Sequence, residues 1–198
     1  MGFFARKLHE LREYNDIASI SEIARRYFAM NAFDGVLTII GLLMGNYAAH
    51  VRDAKVVIVT GFSTCMAMGI SGLWGAYMTE SAERKRDLSD LENHTLTDLS
   101  NTKIGRASRV AVVVVALVDG LAPFLAALVV LLPFLFSGLL SDVVFSYYAS
   151  LGMALVVLFA LGAFLGKVSK ENLIISGLKM IGAGLVSILL SYFLGVES

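Results

Sequence analysis

The sequence predicts an all-α polytopic membrane protein, with five transmembrane helices and an amphipathic helix ahead of them. Three observations predict it. The 198 residues are 57% hydrophobic and only 16% charged, where soluble domains carry about 25% charged residues. Five apolar runs, near residues 27 to 49, 56 to 78, 110 to 136, 147 to 166 and 173 to 195, each approach the roughly 20 residues that cross a hydrocarbon core of about 30 Å. Lys and Arg are spread unevenly over the segments that join these runs. The chain reads as a single membrane domain, 1–198, with 1–26 an amphipathic cytoplasmic segment and 79–109 a short cytoplasmic loop.

In the N-terminal segment Phe4, Leu8, Leu11 and Tyr14, then Ile17, Ile20, Ile23 and Tyr27, recur every three or four residues, which is one apolar helical face. Asn15 and Asp16 are the expected break, and Ser19 with Glu22 has capping-box spacing. The pattern predicts a short helix lying on the membrane and a second running into the first span; packing on the cytoplasmic loop is the alternative.

Basic residues near span ends are retained on the cytoplasmic side. Arg6, Lys7, Arg12, Arg25 and Arg26 precede the first span, Arg84, Lys85, Arg86, Lys103, Arg106 and Arg109 lie between the second and third, and Lys167 and Lys170 follow the fourth. The other side has only Arg52 and Lys55, in the first connection; the third, Ser137 to Ser146, and the C-terminal end have none. The N-terminus is therefore expected inside and the C-terminus outside. The first 26 residues are too charged for a cleavable signal, so insertion is expected to rely on the first span. Short loops and no targeting extension suggest a prokaryotic plasma membrane. With 16 basic and 16 acidic residues, nothing favours a nucleic-acid partner. The single cysteine, Cys65, excludes an intrachain disulfide framework.

Within the first span, Asp34 sits roughly 10 Å beyond Tyr27 at 1.5 Å per residue, and in the third Asp119 lies roughly 14 Å beyond Val110. An aspartate near the centre of a spanning helix costs about 2.5 to 3.5 kcal/mol on insertion scales. Such acids face a protein interior, a water-filled cavity or a cation. Each is followed by glycine, and Phe33-Asp34-Gly35-Val36 echoes Val118-Asp119-Gly120-Leu121. Gly75-Ala76-Tyr77-Met78 likewise echoes Gly162-Ala163-Phe164-Leu165. The offsets, 85 residues at the aspartates and 87 at the glycines, suggest a duplicated helix pair in parallel orientation, with the fifth span unpaired; chance matching of small and apolar residues is the alternative. Gly41, Gly45, Gly69, Gly72 and Gly75 suit close helix packing. Pro123 and Pro133 in the third span leave carbonyls without their helical donors.

Asp34 and Asp119 are thus candidate cation ligands, against a structural reading in which each hydrogen-bonds Thr38, Ser71 or another helix. Met44, Met66, Met68 and Cys65 bring soft sulfur to the same helices, although methionine also fills gaps in apolar interiors. Past the second span, Glu80, Glu83, Asp87, Asp90 and His94 fall three or four apart. If the helix continues, they form one stripe, and carboxylates with an imidazole suit Fe(II), Mn(II) or Zn(II). The bland alternative is a solvated face carrying Glu80–Arg84 and Arg86–Asp90 ion pairs. No enzyme is expected. Headgroup transferases place further aspartates after their Asp-Gly pair, and here the first span has no other acid, while Asp142 is the next after Asp119. Zinc-protease, phosphate-loop and nucleophile-elbow motifs are missing as well.

Asn31-Ala32-Phe33-Asp34-Gly35-Val36-Leu37-Thr38, running on to Gly41 and Gly45, resembles the opening of the vacuolar iron transporter family. Ile70-Ser71 through Gly75-Ala76-Tyr77 with Arg84, Gly120-Leu121-Ala122-Pro123, and Leu161-Gly162-Ala163 with Gly166 resemble that family's second, third and fourth spans. The likeness covers about 25 to 195 and suggests a short-loop, prokaryotic-type member. It implies a homodimer in the lipid bilayer that exports Fe2+ or Mn2+ in exchange for protons, with Asp34 an intramembrane ligand and no resident cofactor. Departures are specific. The family often has methionine where Gly72 aligns and glutamate where Ala76 aligns, so Met68 and Asp119 become candidate substitutes. The loop from Thr79 to Arg109 is too short for the family's glutamate-rich metal domain, and its acidic stripe would be a reduced version. Two other functions fit the same sequence: a non-transporting scaffold or regulatory subunit, and a transporter of another solute.

Overall fold

A computed structural model describes the backbone of residues 3–137 and 142–196. Among these residues there are six helices and no strand: α1 (Phe3–Ala18), α2 (Ile20–Ala48), α3 (Ala54–Thr95), α4 (Lys103–Leu135), α5 (Val143–Ser169) and α6 (Leu173–Val196). Helices α2 to α6 are each long and apolar enough to cross a bilayer. The chain is an all-α integral membrane protein. Part of the third connection, residues 138–141, lies outside the described residues.

Local chemistry sets the helix ends. Ser19, His50, Leu96 and Lys170 each adopt a left-handed backbone, with φ between 50° and 58°, and each stands just past the end of a helix. Asp53 accepts from the Lys55 amide ahead of α3 at 2.9 Å. Asp142 caps α5 by accepting from the Val144 amide at 3.1 Å, and Asn172 accepts from the Ile174 amide at the start of α6 at 2.9 Å. Such caps satisfy amides that have no partner within the helix.

The break between α1 and α2 falls at Ser19, later than the expected Asn15 and Asp16. Asn15 stays helical, and its side-chain oxygen accepts from the Ser21 amide at 2.7 Å. The capping box expected of Ser19 does not form: its φ of 50° lies outside the extended backbone of an N-cap. Along α1, Tyr14 and Ala18 pack with Ile20 against Ala107 and Ala111 of α4, which is the loop-packing alternative. Leu11 and Ile17 of the same helix stay exposed.

Cα packing divides the chain into two units, one within Met1–Phe28 and Ile70–Leu121, the other within Ala29–Gly69 and Ala122–Ser198. The first holds the Tyr14 cluster. The second holds the larger core, in which Val36, Ile39, Ile40 and Leu43 of α2, Val57 and Cys65 of α3, Val130 and Phe134 of α4, and Tyr147 and Leu158 of α5 are buried together. Small residues draw helices together within each unit. A Cβ added at Gly35 would stand 2.6 Å from the Pro123 carbonyl oxygen, and one at Gly72 would stand 2.8 Å from that of Asp119. On α5, Gly162 faces the Ser176 and Gly177 backbone of α6. Helix α4 stays helical through Pro123 and Pro133. Because Pro123 has no N–H, the Asp119 carbonyl lacks its helical donor, and it is this oxygen that Gly72 approaches.

Candidate functional site

The echoing Asp-Gly pairs occupy unlike surroundings. Asp34 is exposed at the surface of the chain, while its neighbour Gly35 is buried against Pro123. Thr38 donates its hydroxyl to the Asp34 backbone carbonyl at 2.8 Å, not to the carboxylate. Along the same face, at helical spacings of four, three and four, lie Thr38, Gly41 and Gly45. A Cβ added at either glycine would meet nothing within 4 Å. The result is a membrane helix with a carboxylate and a strip of small residues facing outward.

Asp119 is 7% exposed. It has interacting partners, and its backbone carbonyl is the surface on which Gly72 rests. Gly72 therefore has no room for the methionine that the family resemblance places there, and Ala76 is buried. Met68 is partly buried against the larger core, and Cys65 and Met44 are buried within it, which is the packing role methionine and cysteine commonly play.

The acidic stripe lies on one helix, because α3 continues unbroken to Thr95. Glu80, Glu83, Asp87, Asp90 and His94 all sit on that extension. Their environments differ. The Glu80 side chain is 13% exposed and pairs with Arg84 at 3.5 Å, and it also accepts the Tyr27 hydroxyl at 3.2 Å. Arg84 reaches on to the Ala18 carbonyl at the end of α1, at 3.1 Å. Glu83, Asp87, Asp90 and His94 are exposed. The His94 Nδ1 stands 2.7 Å from the Asp90 carbonyl; a carbonyl only accepts, so this contact places a proton on Nδ1. Among the described residues no three His, Cys, Asp or Glu side chains converge as a metal site.

The Glu80–Arg84 pair is the i,i+4 ion pair that the spacing predicts; Tyr27 is the partner hardest to see in the sequence. Tyr27 reads as the start of the first span, at the end of the N-terminal apolar face, and its bond to Glu80 joins residues 53 apart in the chain. Near the loop, Lys103 of α4 pairs with Glu13 of α1. That hydrogen bond, aided by the Lys103 charge, holds the Glu13 carboxyl below its ordinary range. The Ser100 hydroxyl and amide do the same for Asp98.

The sequence model of the VIT family matches residues 26–103 and 90–196. An uncharacterized protein of Methanocaldococcus jannaschii is 31% identical over 176 residues, covering 87% of this chain and 89% of its own length.

Proposed function

Because this chain belongs to the VIT family, whose membership suggests membrane metal-ion transport, we propose that it exports Fe2+ or Mn2+ from the cytosol in exchange for protons. The family is one of transporters rather than enzymes. Asp34 carries the reading. An exposed carboxylate in a spanning helix is unstable against lipid by about 2.5 to 3.5 kcal/mol, so it must meet water, protein or a cation. The open strip of Asp34, Thr38, Gly41 and Gly45 suits a second copy of α2, and a homodimer closed on it brings two Asp34 carboxylates to one interface. A pair of hard oxygen donors there suits a divalent ion.

Proton exchange follows from the same chemistry. Desolvation favours a protonated carboxyl and a bound cation favours the ionised one, so the two ligands exclude each other. Asp119, with Met68 near the core, is the second intramembrane candidate. Glu83, Asp87, Asp90 and His94 form an exposed, mostly acidic approach that raises local cation concentration. Glu80 is already held by Arg84 and Tyr27 and serves this approach least. The distribution of Lys and Arg supports a cytoplasmic N-terminus and stripe, and the short loops support a prokaryotic plasma membrane.

The test is metal-dependent flux in proteoliposomes under a pH gradient. Asp34→Asn is expected to lower flux by roughly tenfold or more, the scale on which metal-site substitutions act; undiminished flux overturns the assignment. A second reading, a non-transporting scaffold, is favoured by Gly72 and Ala76, which supply no ligand at two positions where the family resemblance expects one. Metal analysis of the purified protein separates the two, since a scaffold would hold no more metal than its Asp34→Asn variant.

A further inference from the structure

The far end of the second unit carries a cleft of about 160 Å³, lined by Met44, Tyr47, Ala48, His50, Arg52 and the α6 residues Ser191 and Tyr192. Its chemistry differs from that of the aspartates. No acidic side chain lines it, while two side chains able to carry positive charge do. Among the described residues neither His50 nor Arg52 forms an ion pair. The Arg52 guanidinium stands 5.7 Å from the centre of the Tyr47 ring, and the Tyr47 hydroxyl lies 3.2 Å from that of Tyr148. The nearest acid in sequence, Asp53, accepts from the Lys55 amide as the cap of α3. Lys55 itself is exposed and offsets the charge of Asp53.

The cleft has a polar end and an apolar end. Ser191, His50 and Arg52 gather at the helix ends, and Met44 and Ala48 form the wall toward the span. From it an exposed apolar stripe runs back along α6 through Leu185, Leu189 and Tyr192, spaced four and three residues apart. Tyr47, Tyr148 and Tyr192 mark this level as the membrane interface, where amphipathic aromatic rings concentrate. Arg offers a planar fork of donors that matches phosphate oxygens, and it does so bidentately.

We propose that this cleft binds the phosphodiester headgroup of an anionic phospholipid, with Arg52 and His50 on the phosphate and an acyl chain along Leu185 and Leu189. The apolar stripe is what selects a lipid over a soluble anion. The site is independent of the transport reading and needs no metal.

The experiment loads the full-length protein with phosphatidylglycerol or phosphatidylcholine and measures the lipid retained after delipidation by native mass spectrometry. Wild type is expected to retain phosphatidylglycerol by about fivefold or more over phosphatidylcholine, and the preference is expected to vanish in H50Q/R52Q. Both residues are exposed, so the variant is expected to fold, which gel filtration verifies. Lys55→Gln removes a neighbouring cation outside the cleft and should keep the preference. Equal retention of the two lipids, an unchanged preference in H50Q/R52Q, or an equal loss in Lys55→Gln overturns the proposal. So does displacement of the lipid by inorganic phosphate, which would mark a site for a soluble anion.

Discussion

Asp34 and Asp119 begin the same dipeptide in two membrane helices, yet one carboxylate is exposed and the other is 7% exposed. The glycines beside them differ less: Gly35 is buried against Pro123, and Gly120 lies against Gly72. Thus the glycine does similar packing work twice, while the carboxylate finds cover within the chain only once. An ionisable group in a membrane helix is tolerated when something satisfies it. Among the described residues the chain buries Asp119 and leaves Asp34 exposed, which is the cover that the proposed dimer would supply.

The largest expected effects test this contrast at the carboxylates. Asp34→Asn should abolish most metal flux while leaving thermal stability in detergent close to wild type, because the Asp34 side chain is exposed among the described residues. Asp119→Ala should lower stability by about 1 to 3 kcal/mol, the cost of leaving buried partners unsatisfied, whether or not transport uses it. Thermal unfolding of both variants, followed by circular dichroism, would break the comparison if Asp34→Asn were the less stable of the two.

The glycines give the next test. Gly35→Ala places a methyl group against backbone atoms of Pro123, which cannot rotate away. Such overpacking costs about 1 to 3 kcal/mol. Gly45→Leu adds a far larger side chain, but into open space on the exposed strip. The single chain should tolerate it, and a dimer closed on that strip should not. Light scattering in detergent is expected to show Gly45→Leu as a folded monomer and Gly35→Ala as a less stable protein. An intact Gly45→Leu dimer would move the interface off α2.

What the sequence made legible follows from which forces are local. Hydropathy located all five spans, because crossing hydrocarbon imposes length and composition on each segment separately. The three-and-four spacing from Glu80 to His94 gave one stripe on condition that the helix continued, and α3 runs unbroken to Thr95. The exposure of Asp34 and the burial of Asp119 were not legible, since both are Asp-Gly in apolar runs and only packing distinguishes them. Gly72 shows the same limit: read as a missing ligand, it is also a place where no side chain fits, set by an Asp119 carbonyl 47 residues away. Ser19, read as the start of a second helix, does separate α1 from α2, whereas Asn15 and Asp16 stay helical and Asn15 accepts from the Ser21 amide across that boundary.

The smallest effect concerns a carboxylate exposed to water rather than hydrocarbon. Glu13 on α1 pairs with Lys103 on α4, and this partner lowers its pKa from an ordinary value of 4.5. A carboxyl whose folded pKa is lowered stabilises the folded arrangement above its unfolded pKa, and that contribution fades as pH falls through the lower folded value. Docking of α1 on α4 should therefore weaken below about pH 4.5 and keep the full contribution of this pair at neutral pH. Water and salt screen an exposed pair, so the change is small, as surface ion pairs are. Hydrogen exchange of the α1 amides, corrected for intrinsic rates, should rise in acid for wild type and show less of that pH dependence in Lys103→Gln. An equal acid response in both would leave the Tyr14 and Ala18 packing on Ala107 and Ala111 as what holds α1, and would show that a carboxylate in water, unlike Asp34, requires no partner.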